Sequence, residues 1–121
     1  MPQPHDPPAT DAAAVRARLD EVVRLLDHAD AVSPELRRDL LAVTDELRRA
    51  LDAGTMPTAE VARLAYGTAH LAESLRRRHE EGILARARDR LEEAVLAAEA
   101  RAPVVSGLIH RLLETLANIG I

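Results

Sequence analysis

Residues 33–51, SPELRRDLLAVTDELRRAL, contain the signals that decide the fold. Ser33 is a good helix cap, and Pro34 fits the first turn because the N–H it lacks would have no partner there. From that start, apolar residues recur in alternating steps of four and three: Leu36, Leu40, Val43, Leu47 and Ala50. This spacing keeps one apolar ridge facing a neighbouring helix at a shallow crossing angle. The stretch therefore predicts an amphipathic helix that packs lengthwise against others.

Four further segments repeat the pattern, and each extends over about two heptads, which favours a bundle over a long coiled-coil rod. Their apolar ridges are Val15, Leu19, Val22, Leu26 and Ala29; Val61, Leu64, Thr68, Leu71 and Leu75; Leu84, Ala87, Leu91, Ala94 and Ala98; and Val105, Ile109, Leu112, Leu116 and Ile119. The connections near residues 30–33 and 54–57 are short, so neighbouring helices should run antiparallel. We predict an all-α fold, an antiparallel bundle of four or five short helices spanning residues 11–121. The number is open because the third and fourth segments could form one rod bent at Gly82.

Helix boundaries are marked by proline, small polar residues and glycine. Thr10 before Asp11, and Thr58 before Glu60, resemble the start signal of residues 33–35. Pro57 and Pro103 also stand just ahead of apolar segments, as first-turn prolines do. Three glycines follow such segments, as left-handed caps do: Gly54, Gly82 and Gly120. At the last of these, Ile121 should fold back onto Leu116 in a hydrophobic clasp.

The composition limits the possible functions. The 121 residues include one Tyr, no Phe, no Trp and no Cys, so Leu, Val and Ala must form the core, and thiolate chemistry is excluded. A formal charge of −4 argues against nucleic acid as a partner. Residues 1–10, MPQPHDPPAT, contain four prolines and predict a disordered arm without the features of a signal peptide. No apolar run is long enough to span a membrane, so we expect a cytoplasmic protein.

No catalytic, metal or cofactor site is predicted. The Glu-x-x-His motif of di-iron bundles is absent, and His70 with Glu73 offers only two ligands. Tyr66, His70, Glu73 and Arg77 align opposite the apolar ridge of their segment and predict a solvated surface. The cluster Arg76 to Arg78 could bind an anionic membrane or nucleic acid weakly, but glutamates flank it. We expect no enzyme activity and no small-molecule substrate.

The C-terminal segment is the best candidate for an interaction surface. Its apolar residues span an arc of roughly 140° on a helical wheel, which is wider than one neighbouring helix needs. The residues of this arc are Val105, Leu108, Ile109, Leu112, Leu113, Leu116 and Ile119. A central bundle helix that touches two or three neighbours explains the width. Contact with another protein or a second copy also explains it, and we favour that reading. Gly107 inside the helix would suit a close approach of another backbone.

The stretch EARAPVVSGLIHRLLETLANIGI, from Glu99 to Ile121, resembles the C-terminal signature of a bacterial family named domain of unknown function 4404. Residues 33–51 resemble the earlier helix of that family more loosely. The chain departs from the family at Ala102, where a histidine often precedes the proline, and residues 55 to about 82 are additional. The family has no assigned activity, so the resemblance implies a helical fold and transfers no functional residues.

Overall fold

The computed structural model of the chain describes residues 11–28, 32–77, 80 and 82–119. Within this part of the chain there are five α-helices and no strand. The helices are α1 (Ala12–Asp27), α2 (Pro34–Ala53), α3 (Thr58–Arg76), α4 (Ile83–Ala98) and α5 (Pro103–Ile119). The predicted all-α bundle is thus confirmed, with α3 and α4 as separate helices. The predicted arm at residues 1–10 and the predicted clasp at residues 120–121 lie outside the described residues.

The helices form a ring of four with a fifth helix on its outside. Helix α2 packs against α3, α3 against α4, α4 against α5, and α5 returns to α2. Helix α1 packs against both α2 and α3. The two most enclosed helices are therefore α2 and α3, each with three neighbours, whereas α5 has two. Helix α5 is not the most enclosed helix, but its two neighbours agree with the alternative reading of its wide apolar arc, which requires two or three.

Polar contacts between helices fix their antiparallel directions. Arg16 near the start of α1 donates to Asp52 near the end of α2 across 2.5 Å. Thr115 near the end of α5 donates through Oγ1 to Oδ2 of Asp39 near the start of α2, also across 2.5 Å. Because each contact joins the start of one helix to the end of another, both pairs run antiparallel. The short connection between α1 and α2 predicts this for the first pair, whereas α2 and α5 are not consecutive.

The predicted apolar ridges form the core at most described positions. Corrections are needed at Ala94 in α4 and at Ile119 in α5, which is 40% exposed, and Ala29 lies outside the described residues. In α4 the residue buried after Leu91 is Val95, at 0% exposure, and the predicted Ala94 is only half buried. The reason is that α4 leans against α3 on one side and α5 on the other, so its ridge takes a second step of four. Helix α3 buries a further row of small residues: Ala62, Ala65, Ala69 and Ala72. Those alanines let three helices approach it closely.

The helix starts partly follow the prediction. Ser33 accepts a hydrogen bond through Oγ from the Leu36 N–H at 3.2 Å and caps α2, and Pro34 is its first residue. The cap of α1 is Asp11, which accepts from the Ala14 N–H at 2.8 Å. Helix α3 differs from the prediction, because Pro57 occupies the cap position and no side chain caps the first turn.

The left-handed glycines are real, but one stands at a different place. Gly54 ends α2 with φ 68° and donates its N–H to the Ala50 carbonyl, as predicted. Gly82 also has a left-handed backbone, with φ 78°, yet it begins α4 instead of ending α3. The residue that ends α3 is Arg77, five positions before Gly82. Its N–H donates to the Ser74 carbonyl, which tightens the last turn of the helix.

Candidate functional site

Three large apolar side chains stand exposed in the described part of the chain, and all belong to the C-terminal helix pair. Val104 on α5 is 61% exposed, Leu96 on α4 is 57% exposed and Ile119 on α5 is 40% exposed. Val104 and Leu96 each lie next to a buried valine, Val105 and Val95, which takes the core position of that helix. An interaction surface on this protein would include such residues.

The seven predicted interaction residues of α5 fall into three groups. Val105, Ile109, Leu112 and Leu116 are at most 3% exposed and belong to the chain's own core. Leu108 and Leu113 are half buried and pack against that core from its edge, while Ile119 is exposed. The structure therefore does not bring the seven together on one open surface. Of the seven, only Leu108, Leu113 and Ile119 retain solvent-accessible surface that a partner could contact.

An exposed row on one side of α5 takes the place of the predicted arc. At about 100° per residue, Val104, Leu108 and Ile119 fall within roughly 60° of each other, whereas Leu113 lies roughly 140° from Leu108. Arg111 and Thr115 lie on the same side. We call this row the α5 stripe, defined as Val104, Leu108, Arg111, Thr115 and Ile119.

Val104 was missed because sequence reasoning gave the ridge position to Val105. The signal was present in the valine pair at 104–105. Successive residues of a helix point about 100° apart, so only one of two neighbouring valines can face the same helix interface. Val105, at 3% exposure, takes the core position and Val104 is left outside.

The α5 stripe borders α2. Thr115 donates to Asp39 of α2, which fixes the side of α5 on which the stripe lies. At the other end of the stripe, beside Val104, a cleft of about 260 Å³ opens between α2 and α5. Its apolar walls include Ala50, Met56 and Val105, and we call it the α2–α5 cleft. The stripe thus has a protruding isoleucine at one end and a cleft at the other.

A second concave feature lies between α3 and α4. This groove of about 450 Å³ contains small residues along its floor and charged residues at its rim, among them Gly67, Ala94, Arg63 and Arg90. An added side chain on Gly67 would meet Leu91 Cδ1 at 3.0 Å, so the two helices are in close contact beneath the groove. The groove is open to solvent, and the charged or ionisable residues Arg63, His70 and Arg90 that line it are exposed.

The line Tyr66, His70, Glu73 and Arg77 is only partly the solvated surface that was predicted. His70 and Arg77 are exposed, but Tyr66 is half buried against the core, with the Arg18 guanidinium 4.4 Å from its ring centroid. The reason is that α1 packs beside α3 and covers the ring. His70 lines the α3–α4 groove instead of a convex face.

The two described arginines of the cluster at residues 76–78 engage carboxylates. Arg76 lies 3.4 Å from Glu73, and Arg77 donates two hydrogen bonds to Glu80, at 3.0 and 2.8 Å. The hydrogen bond from Arg77 to Glu80, with the negative charges of Glu80 and Glu73, raises the pKa of this guanidinium above its ordinary value. Arg78 lies outside the described residues. The cluster is therefore charge-compensated where it is seen.

Histidines and acids do not gather in the described residues, where no group of three or more His, Asp or Glu could hold a metal ion. Nδ1 of His28 lies at hydrogen-bond distance, 2.9 Å, from the carbonyl oxygen of Arg24. Nε2 of His110 lies 3.4 Å from Oε1 of Glu99. Of the described helices, none has both the length and the apolarity that a membrane crossing requires.

Comparison with models of known protein families, with curated proteins and with solved structures found no match for the chain.

Proposed function

We propose that this protein is a non-catalytic helical protein that binds another protein, or a second copy of itself, through α5. The observation that supports this most is the exposure of Val104 and Ile119 on one side of that helix, with half-buried Leu108 between them. Single exposed apolar residues are ordinary on a protein surface, but these share a side of one helix. Removing them from water is the kind of gain that drives association.

The composition of the core supports the same proposal. Leu, Val and Ala form nearly all of it, and no Phe or Trp is present in the chain. A small bundle without large aromatic side chains in its core gains stability when a second surface covers it. The α5 stripe is available for this role because the core of the chain does not use Val104 or Ile119.

The exposure of His70 supports the non-catalytic part of the proposal. A general acid or base acts from a site that holds it in place and partly excludes water, whereas His70 is exposed in a groove open to water. We therefore assign no substrate and no cofactor to the α3–α4 groove.

The alternative of weak binding to anionic membrane or nucleic acid through residues 76–78 gains no support. Arg76 and Arg77 form ion pairs with the carboxylates of Glu73 and Glu80, and the chain has a formal charge of −4.

The proposal includes membership of the bacterial family named domain of unknown function 4404, which the C-terminal signature from Glu99 to Ile121 supports. It also includes a cytoplasmic location.

The proposal is tested by substituting Val104→Glu, which places a charge in the stripe without entering the core. The matched control is Leu96→Glu, because Leu96 is exposed to a similar extent but lies on α4, outside the stripe. Leu113→Glu is a weaker choice, since Leu113 packs partly against the core and its loss would also lower stability.

Size exclusion with light scattering over a series of concentrations should give a mass above one chain for the native protein and for Leu96→Glu, but not for Val104→Glu. If the native protein stays monomeric, affinity capture from its own cell extract should recover a protein that Leu96→Glu retains and Val104→Glu loses. A monomer with no partner sensitive to Val104→Glu contradicts the proposal.

A further inference from the structure

We propose that the occupant of the α5 stripe is a second copy of this chain, bound with the two α5 helices antiparallel about a twofold axis near Arg111. In this arrangement Ile119 of each copy enters the α2–α5 cleft of the other. The inference rests on the proposed function and names its partner. Three features of the stripe support it.

The first feature is the symmetry of the stripe along the helix. Val104 and Ile119 are its exposed apolar ends, and they lie at equal distances from a point between residues 111 and 112. Leu108 and Thr115 are also equidistant from that point. An antiparallel copy therefore sets each apolar end level with the opposite apolar end. A twofold contact requires such self-complementarity, because the same patch must serve on both chains.

The second feature is the match between a protrusion and a cleft. Ile119 stands 40% exposed at the end of α5, and the α2–α5 cleft of about 260 Å³ opens beside Val104 at its start. Both lie on the side of α5 that borders α2. The walls of Ala50, Met56 and Val105 suit an aliphatic side chain. Antiparallel pairing fills two clefts at once, whereas parallel pairing sets each Ile119 against its own copy and fills neither.

The third feature is charge. Arg111 and Glu114 are exposed on α5, and among the described residues neither forms an ion pair. In the antiparallel pair, Arg111 of one chain lies within one helical turn of Glu114 of the other, and the reverse pair forms by symmetry. Opposite charges at the rim favour the correct register over others.

The contact is small. Helix α5 has 17 residues and is about 25 Å long. A contact between two such helices and the adjoining edges of α2 therefore buries at most about 1,200 Å² in total, the lower end of the range for stable interfaces. Interfaces of that size bind weakly, so the dimer should form at high protein concentration and separate on dilution.

Cysteine cross-linking tests the arrangement without background, because the chain has no cysteine. The variants are Val104→Cys and Ile119→Cys, with Leu96→Cys as the control for random collision. The reagent is a short bismaleimide linker whose span is well below 20 Å. Circular dichroism first checks that each variant keeps the native helix content.

A mixture of Val104→Cys and Ile119→Cys should cross-link several times more than either alone and more than Leu96→Cys. In the antiparallel dimer the two copies of Val104 lie about 22 Å apart along the helix, as do the two copies of Ile119, so each variant alone should fail. Adding Arg111→Glu to both variants should weaken the cross-link of the mixture, because Glu114 then faces a like charge.

Efficient cross-linking of Val104→Cys with itself, or a mixture no better than Leu96→Cys, overturns the antiparallel arrangement. If light scattering still gives a dimer that Val104→Glu disrupts, the proposed function stands and only this inference fails. A chain that is monomeric at every concentration overturns the inference directly, and the capture experiment then decides the proposed function.

Discussion

Glycine occupies contrasting environments in this bundle, and they show how one residue type serves different purposes. Gly54 ends α2 with a left-handed backbone, which a residue with a side chain adopts only at a cost. Gly67 lies inside α3 where a methyl group would press on Leu91. Gly107 lies inside α5, and apart from the adjoining backbone of α5 itself no described atom lies within 4 Å of the place where a methyl group would stand. Among the described residues, therefore, no other backbone makes the predicted close approach to Gly107.

The two helical glycines give a matched pair of substitutions. Gly107→Ala should raise the free energy of unfolding by about 0.5–1 kcal/mol, because alanine favours the helix and the space is open. Gly67→Ala has the same intrinsic gain, but its methyl would lie 3.0 Å from Cδ1 of the fully buried Leu91, so the gain should vanish or reverse.

Urea unfolding at low protein concentration measures both changes, since dilution removes any contribution of association. Equal stabilisation by the two substitutions would show that Leu91 can move aside freely, and a loss for Gly107→Ala would contradict the open space around that residue.

At the scale of the helix, burial separates leucines that look alike in the sequence. Leu71 on α3 is fully buried where α3 meets its neighbours, and Leu96 on α4 is 57% exposed. Helix α3 is enclosed by α1, α2 and α4, so its apolar side chains have partners on most sides. Helix α4 has two neighbours and leaves one side in water.

Leu71→Ala should therefore lower the free energy of unfolding by about 2–5 kcal/mol, through lost burial and the cavity left behind. Leu96→Ala should change it by less than about 0.5 kcal/mol, as an exposed substitution does. Urea or thermal unfolding followed by circular dichroism measures both. Similar losses for the two variants would mean that Leu96 is covered in solution, which would implicate α4 in association.

At the scale of the whole molecule, α2 and α3 belong both to the four-helix ring and to the three-helix group with α1. Unfolding one group therefore removes partners from the other. Salt bridges between α1 and α2, such as Arg16 with Asp52, are exposed and contribute little to this coupling. The apolar contacts of α1, through Val15, Leu19, Val22 and Leu26, supply most of it.

Tyr66 provides a probe of this coupling, because it is the one tyrosine and the chain has no tryptophan. Its ring lies beneath Arg18 of α1, so its fluorescence should respond to the separation of α1 from α3. We expect the urea transitions followed by Tyr66 fluorescence and by circular dichroism to coincide, as in a two-state protein. If the fluorescence changes at lower urea, α1 detaches first and the bundle is not one cooperative unit.

The apolar spacing was sufficient to predict five helical segments, the antiparallel order and most of the core, because those depend on local periodicity and short connections. Residue type predicted the cap at Ser33 and the left-handed Gly54, since both depend on residues within one turn. These signals failed at Ala94 and Val95, and at Gly82, where two nearby positions have almost the same local signal. Contact with the neighbouring helices decides between such positions.

The sequence by itself determined that this chain is a bundle of short aliphatic helices, since the three-and-four step and the cap residues act within each helix. Only the tertiary structure decided which helices are enclosed and which side of α5 remains in water. A helical wheel shows how wide an apolar arc is but not how many neighbours cover it. Val105 and Val104 differ by one position in the chain, and the packing of α2 and α4 around α5 buries the first and exposes the second.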